Sequence, residues 1–177
     1  MDLTEVEDVT GADGASIRSN WRESNESTMR RRRGIAGLSI FSVGAMGAIA
    51  LYQTGLLRRP PEPKWSIFNA ARVNGSEEAY SFLGTPDALL GLLSYAGTAF
   101  LAGAGGTDRA RTIPLIPIAM GLKTMADAAM AGKLAWKEKT KFKAYCLLCL
   151  LVSGATLLNV GLALPEAWEA WQRMTKG

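Results

Sequence analysis

The stretch KFKAYCLLCLL, Lys141–Leu151, decides how this chain reads. Its first half is basic. Its second half opens an uncharged run, Ala144–Leu164, that stops at Pro165. About 20 residues at 1.5 Å rise cross a hydrocarbon core, so this run is long enough for a membrane span. The stretch also holds both cysteines of the protein, Cys146 and Cys149, three positions apart. A CxxC pair can be a redox dithiol, half a metal site, or two small apolar side chains.

Working outward, the same alternation of charge block and apolar run recurs. Arg30–Arg33 abuts Gly34–Leu57, which carries no charge. A Pro-rich loop, Arg58–Ser81, leads to Leu83–Gly106, and the turn TDRAR leads to Ile113–Ala131. The linker Lys133–Lys143, with five lysines and one glutamate, then returns to the quoted stretch. Short connections make neighbouring spans antiparallel. The expectation is an all-α fold, an integral membrane four-helix bundle with spans at 34–57, 83–106, 113–131 and 144–164. Residues 1–33 read as a disordered cytoplasmic tail, with Trp21 solvated, and residues 165–177 as an interfacial segment in which Trp168 and Trp171 share a face. Gly37, Gly44, Gly47, Gly91 and Gly97 are expected to let helices approach closely.

The first apolar run is too long for a signal peptide and lacks a small-residue cleavage site, so it is expected to be retained. The arginine block before it places both termini in the cytoplasm, in a bacterial inner membrane, although the lysine-rich linker then falls outside, against the positive-inside rule. Basic clusters beside apolar runs suit a lipid bilayer with anionic headgroups rather than nucleic acid. The chain has no histidine, which removes every His-based triad and every His ligand. Two cysteines alone cannot complete a zinc site, so no metal is expected.

Three ionisable groups fall inside apolar runs. Lys123 and Asp127 stand at i,i+4 spacing and read as a structural pair. Asp87, in the first turn of the second span, reads equally as a helix-capping carboxylate or a ligand contact. At the start of the fourth span, free backbone N–H groups and five nearby lysines favour a thiolate.

Two segments together resemble the vitamin K epoxide reductase family. The second span opens FLGTPDALLGLLSY, with Gly84, Pro86, Leu89, Leu90, Gly91 and Tyr95 in that family's pattern, and the fourth opens with Tyr145, Cys146 and Cys149. The resemblance covers about residues 34–164. It implies thiol–quinone chemistry: Cys149 facing a quinone (ubiquinone or menaquinone), and Cys146 exchanging with a thiol. It makes Asp87, Tyr95 and Ser153 the residues at quinone-contact positions, Asp87 and Ser153 departing from the animal members' asparagine and tyrosine. It also implies a relay pair of cysteines in the outer loop, and here the loop KWSIFNAARVNGSEEAYSFLG has none. Asn69, Ala70 and Ala71 stand near the place of the second relay cysteine, and Ser76 or Glu77 near that of the loop serine. A thiol partner would then have to reach Cys146 directly. Two functions stay open: a quinone-linked thiol–disulfide oxidoreductase served by a thioredoxin-like partner, or a non-catalytic subunit packed among neighbours in a larger membrane complex, respiratory or photosynthetic.

Overall fold

The computed structural model describes residues 14–63 and 65–176. The described residues are helical, with no strand, in the order α1 Gly14–Glu23, α2 Ser27–Gln53, α3 Ala70–Asn74, α4 Asp87–Gly103, α5 Arg109–Thr112, α6 Leu115–Lys137 and α7 Leu147–Lys176. A single 3₁₀ turn, Glu77–Tyr80, precedes α4, and a π-turn, Glu138–Phe142, follows α6. The four long helices pack side by side: α2 against α4 and α7, and α6 against α7 and α4. The start of α2 lies at the end of α4, and the start of α7 lies beside the end of α2, so chain direction alternates around the group.

Side-chain polarity is distributed the wrong way round for water. The largest fully buried side chains are Arg32 and Arg109, and Ser39, Ser42, Thr98, Thr124, Thr156 and Asn159 are buried with them. Outside stand Ile40, Phe41, Leu93, Phe100, Leu122, Leu157 and Leu158, all exposed. A soluble protein rarely leaves so much contiguous apolar surface bare, whereas hydrocarbon accepts it. By length and composition α2 and α7 can each cross a membrane. The α4 helix is apolar but shorter, at 17 residues.

Several boundaries differ from the sequence reading. The segment taken as disordered tail contains α1 and the first turns of α2; the stretch 1–13 lies outside the described residues. Trp21 on α1 lies over the Arg32 guanidinium, 5.2 Å from ring centroid to Cζ, and this cation–π contact anchors the segment. Pro165 does not end the fourth helix. It sits exposed inside α7, which runs on to Lys176. Proline costs one backbone hydrogen bond there, and the next turn is held by buried Glu166 and Ala170. Likewise α6 runs on through Lys137, so the lysine-rich linker is half helix. Gly37 and Gly44 have no neighbour within 4 Å of where a Cβ would stand, so they make no close approach. Gly91 does make the expected close approach, with Met46 Sδ 3.1 Å from where its Cβ would stand, and Gly121 makes a tighter one, where a Cβ would come within 2.7 Å of Ala167 Cβ on α7.

One end of the group is closed by arginines. The last carbonyls of a helix have no partner within it. At the end of α4 the Arg32 side chain fills that role, donating to Ala102 O at 2.9 Å, Ala104 O at 3.0 Å, Gly105 O at 3.0 Å and Gly106 O at 2.9 Å. Arg109 adds a bond to Ala104 O at 2.8 Å and holds Glu166 of α7 in a two-bond pair at 2.6 and 2.7 Å.

Candidate functional site

The opposite end holds the cysteines. The linker leaves the π-turn through Lys143, in the left-handed conformation at φ 47°. Tyr145 then pairs by backbone with the loop: its N–H donates to Ile67 O at 3.1 Å, and its carbonyl accepts from Asn69 N–H at 3.0 Å. This bridge seats α3 across the first turn of α7. Cys146 is thereby covered, at 1% exposure, and packs with Ile49, Ala50, Ala70, Val73 and Ala88. Cys149, one turn on, is half-buried, and both thiols are free.

The residue that meets both sulfurs is Asn74, at the end of α3. Its Nδ2 donates to Cys146 Sγ at 3.3 Å and to Ala70 O at 3.0 Å; its Oδ1 accepts from Cys149 Sγ at 3.7 Å. The Cys149 N–H also donates to Cys146 Sγ, at 3.3 Å. Asn74 is tied in turn to Gln53, the last residue of α2, whose Nε2 donates to Asn74 O at 3.2 Å and to Asp87 Oδ1 at 2.7 Å. Gln53 Oε1 accepts the Ala88 N–H at 3.2 Å, so Gln53 satisfies the start of α4 while Asp87 is turned toward the cluster. A chain of hydrogen bonds therefore runs from Asp87 through Gln53 and Asn74 to the thiols.

Glu138 closes the cluster from the π-turn. Its Oε2 accepts the Cys146 N–H at 3.2 Å and its side chain is buried, while Lys139, Lys141 and Lys143 point to solvent and Lys141 pairs with Glu78. The single acid of the linker, not its lysines, thus faces the pair. Burial pushes the Glu138 carboxyl above the usual carboxylate range; hydrogen bonds from Cys146 and Cys149 partly offset this.

The other expected contact residues stand elsewhere. Ser153 Oγ donates to the Cys149 carbonyl at 2.8 Å, which spends its hydroxyl proton within α7. Tyr95 is buried deeper, packed with Ala45 and Val152, its hydroxyl accepting from Thr156 Oγ1 at 3.2 Å. Lys123 and Asp127 form the expected pair at 2.7 Å, joined by Ser94 and Thr98 of α4. Sequence reading missed Asn74, Gln53 and Glu138. Each lies in a different segment from the CxxC. Gln53 carried a faint signal, as the lone amide near the end of an apolar run, and Glu138 another, as the lone acid among lysines. Asn74-Gly75 reads only as a turn.

Comparison with known families gives one match. The family model of the vitamin K epoxide reductase family fits residues 34–164, the bulk of the chain. No curated protein matches it.

Proposed function

The chain belongs to the vitamin K epoxide reductase family, and on that premise we propose that it is an integral membrane oxidoreductase whose Cys146/Cys149 pair exchanges electrons between thiols and a quinone. The observation that carries this reading is the pair itself: two free thiols at the start of an apolar helix, bridged by one amide and joined by hydrogen bonds to Asp87. The family as a whole uses quinones, and an inside-out polarity supports a membrane setting.

The residues present fit a quinone in kind. Cys149 is only partly buried, and Met46, Leu89 and Leu148 pack on the same cluster, which gives an apolar flank for a ring. Asp87, joined to the pair's surroundings through Gln53, offers a polar contact as an acceptor, and Ser153, whose proton goes to the Cys149 carbonyl, has only its oxygen to offer. A bound quinone would take up two electrons and two protons and leave as quinol. The protein's part is to hold the reduced pair and let the Cys146–Cys149 bond form, which releases two electrons and the one thiol proton; the second proton of the quinol comes from water. Glu138, buried beside the pair, is placed to hold a proton there.

Purified protein, supplied with a small dithiol and a ubiquinone or menaquinone analogue, should reduce the quinone, and Cys149→Ala should abolish the reaction. Failure of every dithiol and quinone pair to react in a cysteine-dependent way would overturn the reading.

A second reading is favoured by a specific observation. The loop has no relay cysteine, and Cys146 lies beneath α3 instead of open to a partner. On this reading the chain is a non-catalytic subunit of a larger membrane complex. Mild detergent extraction should then recover a stable assembly that persists after Cys146→Ala and Cys149→Ala. Four spans, cytoplasmic termini, a bacterial inner membrane and a thioredoxin-like thiol partner remain parts of the proposal, tested by cysteine-accessibility mapping of each loop.

A further inference from the structure

We propose that Asn74 sorts the charge within the reduced pair, holding Cys146 as the thiolate and Cys149 as the thiol. The two sulfurs see opposite ends of one amide. Cys146 Sγ receives two N–H donors, Asn74 Nδ2 at 3.3 Å and the Cys149 backbone at 3.3 Å. N–H donors aimed at a sulfur favour its anion, and such charge-assisted bonds are about twice as strong as neutral ones. Cys149 Sγ instead faces Asn74 Oδ1 at 3.7 Å, an oxygen that can only accept. A sulfur in that position must bring a proton to make the bond.

The direction of the amide is fixed independently of the cysteines. Asn74 Nδ2 also donates to Ala70 O at 3.0 Å, and a carbonyl cannot donate in return. Turning the amide over would set oxygen against oxygen there. Asn74 is itself held by its backbone, since its carbonyl accepts from Gln53 Nε2. The amide is therefore a fixed dipole, with its positive end on Cys146.

Charged groups around the pair do not reverse this assignment. From the linker, Glu138 Oε2 sits on the Cys146 N–H, and burial favours its neutral form, which weakens its opposition to a thiolate. From α4, Asp87 is held on Gln53 and Tyr95 on Thr156. α3 contributes Asn74 and α2 contributes Gln53, neither of which titrates. The anion is thus placed on the sulfur that α3 covers, and the Cys149 sulfur is left protonated. Asn74 acts here as a positioning residue, and it stands in the loop that lacks relay cysteines.

The assignment holds whether or not the pair reduces a quinone, and its test uses no quinone. The full chain is purified in detergent, reduced, and its thiolate ultraviolet absorbance is read at neutral pH as the part lost on acidification. Wild type and Cys149→Ser should keep this band, and Cys146→Ser should lose it. Asn74→Asp, which keeps the shape and the acceptor but removes the donor, should lose it as well, as should Asn74→Leu. The Cys146→Ser and Cys149→Ser comparison leaves Asn74 in place, so it decides the matter even where an Asn74 variant folds poorly. A wild type without the band, a band that survives Cys146→Ser, or a band undiminished in either folded Asn74 variant would overturn the proposal.

Discussion

The two ends of the helix group bury polar side chains by opposite strategies. At the arginine end, Arg32 and Arg109 are fully charged, fully buried and saturated with partners: carbonyls of α4 and both oxygens of Glu166. At the cysteine end, the buried groups are amides, the two cysteine sulfurs and a carboxyl pushed toward its neutral form, linked by bonds of which the longest is 3.7 Å. A saturated charge network resists change, because removing one member strands the others in low dielectric. A network of longer bonds around titratable thiols can lose or gain a proton at modest cost. The arginine end therefore acts as the clamp of the fold, and the cysteine end as the place where bonds can be made and broken.

The largest effect should come from breaking the clamp. Arg109→Ala or Glu166→Ala leaves one charge buried alone, and should cost about 3–5 kcal/mol, read as a large fall in thermal unfolding temperature in detergent. The double change Arg109→Met with Glu166→Leu should recover much of that loss, since it removes both charges. If the double variant were as unstable as the single ones, the pair would not be what the clamp depends on. Next comes Arg32→Ala, which strips the end of α4 of its shared donor and should cost roughly 2–3 kcal/mol, in the range for bonds to a charged group. Arg32→Lys should not restore it, because an ammonium cannot spread donors over that many carbonyls.

At the other end the cost should be smaller. Asn74→Ala removes the bond to Ala70 O and both sulfur contacts, and should cost about 1–2 kcal/mol while lowering the rate at which a small maleimide labels Cys146, because the thiolate is the nucleophile. An Asn74 variant as destabilised as Arg109→Ala would erase the contrast between the two ends.

How far each end could be read from sequence follows from the same contrast. The apolar runs and the position of the CxxC are local signals, carried by periods and spacings within one segment, and the resemblance to the family rests on two such segments. The all-α fold followed directly. The clamp and the cluster were invisible because each assembles side chains far apart in the chain: Arg32 meets carbonyls 70 to 74 positions on, Arg109 meets Glu166 57 positions on, and Asn74 meets Cys146 72 positions on. Composition even pointed the wrong way. Four adjacent arginines suggest a solvated block, yet Arg32 alone among them turns fully inward. Five lysines near the cysteines suggest a positive site, yet the lone Glu138 is the group that faces them. Pro165 misled because a stop signal acts only where nothing holds the next turn, and here Arg109 holds Glu166.

The smallest predicted effect isolates Glu138 at the cysteine end. Glu138 is an ordinary carboxylic acid when unfolded, ionising near its usual 4.5, and burial raises that value in the folded chain. Between the two values the folded state binds more protons than the unfolded one, so stability falls as pH rises through that window and then levels off above it. Glu138→Gln keeps a side chain that can accept the Cys146 N–H and removes the titration. Unfolding temperature followed from about pH 4 to about pH 7 should therefore decline in the wild type and decline less in Glu138→Gln, with the two curves closest at the acidic end. Curves that ran parallel across the whole range would show that Glu138 ionises as easily inside the protein as outside it, and a buried carboxylate would then stand beside the Cys146 sulfur.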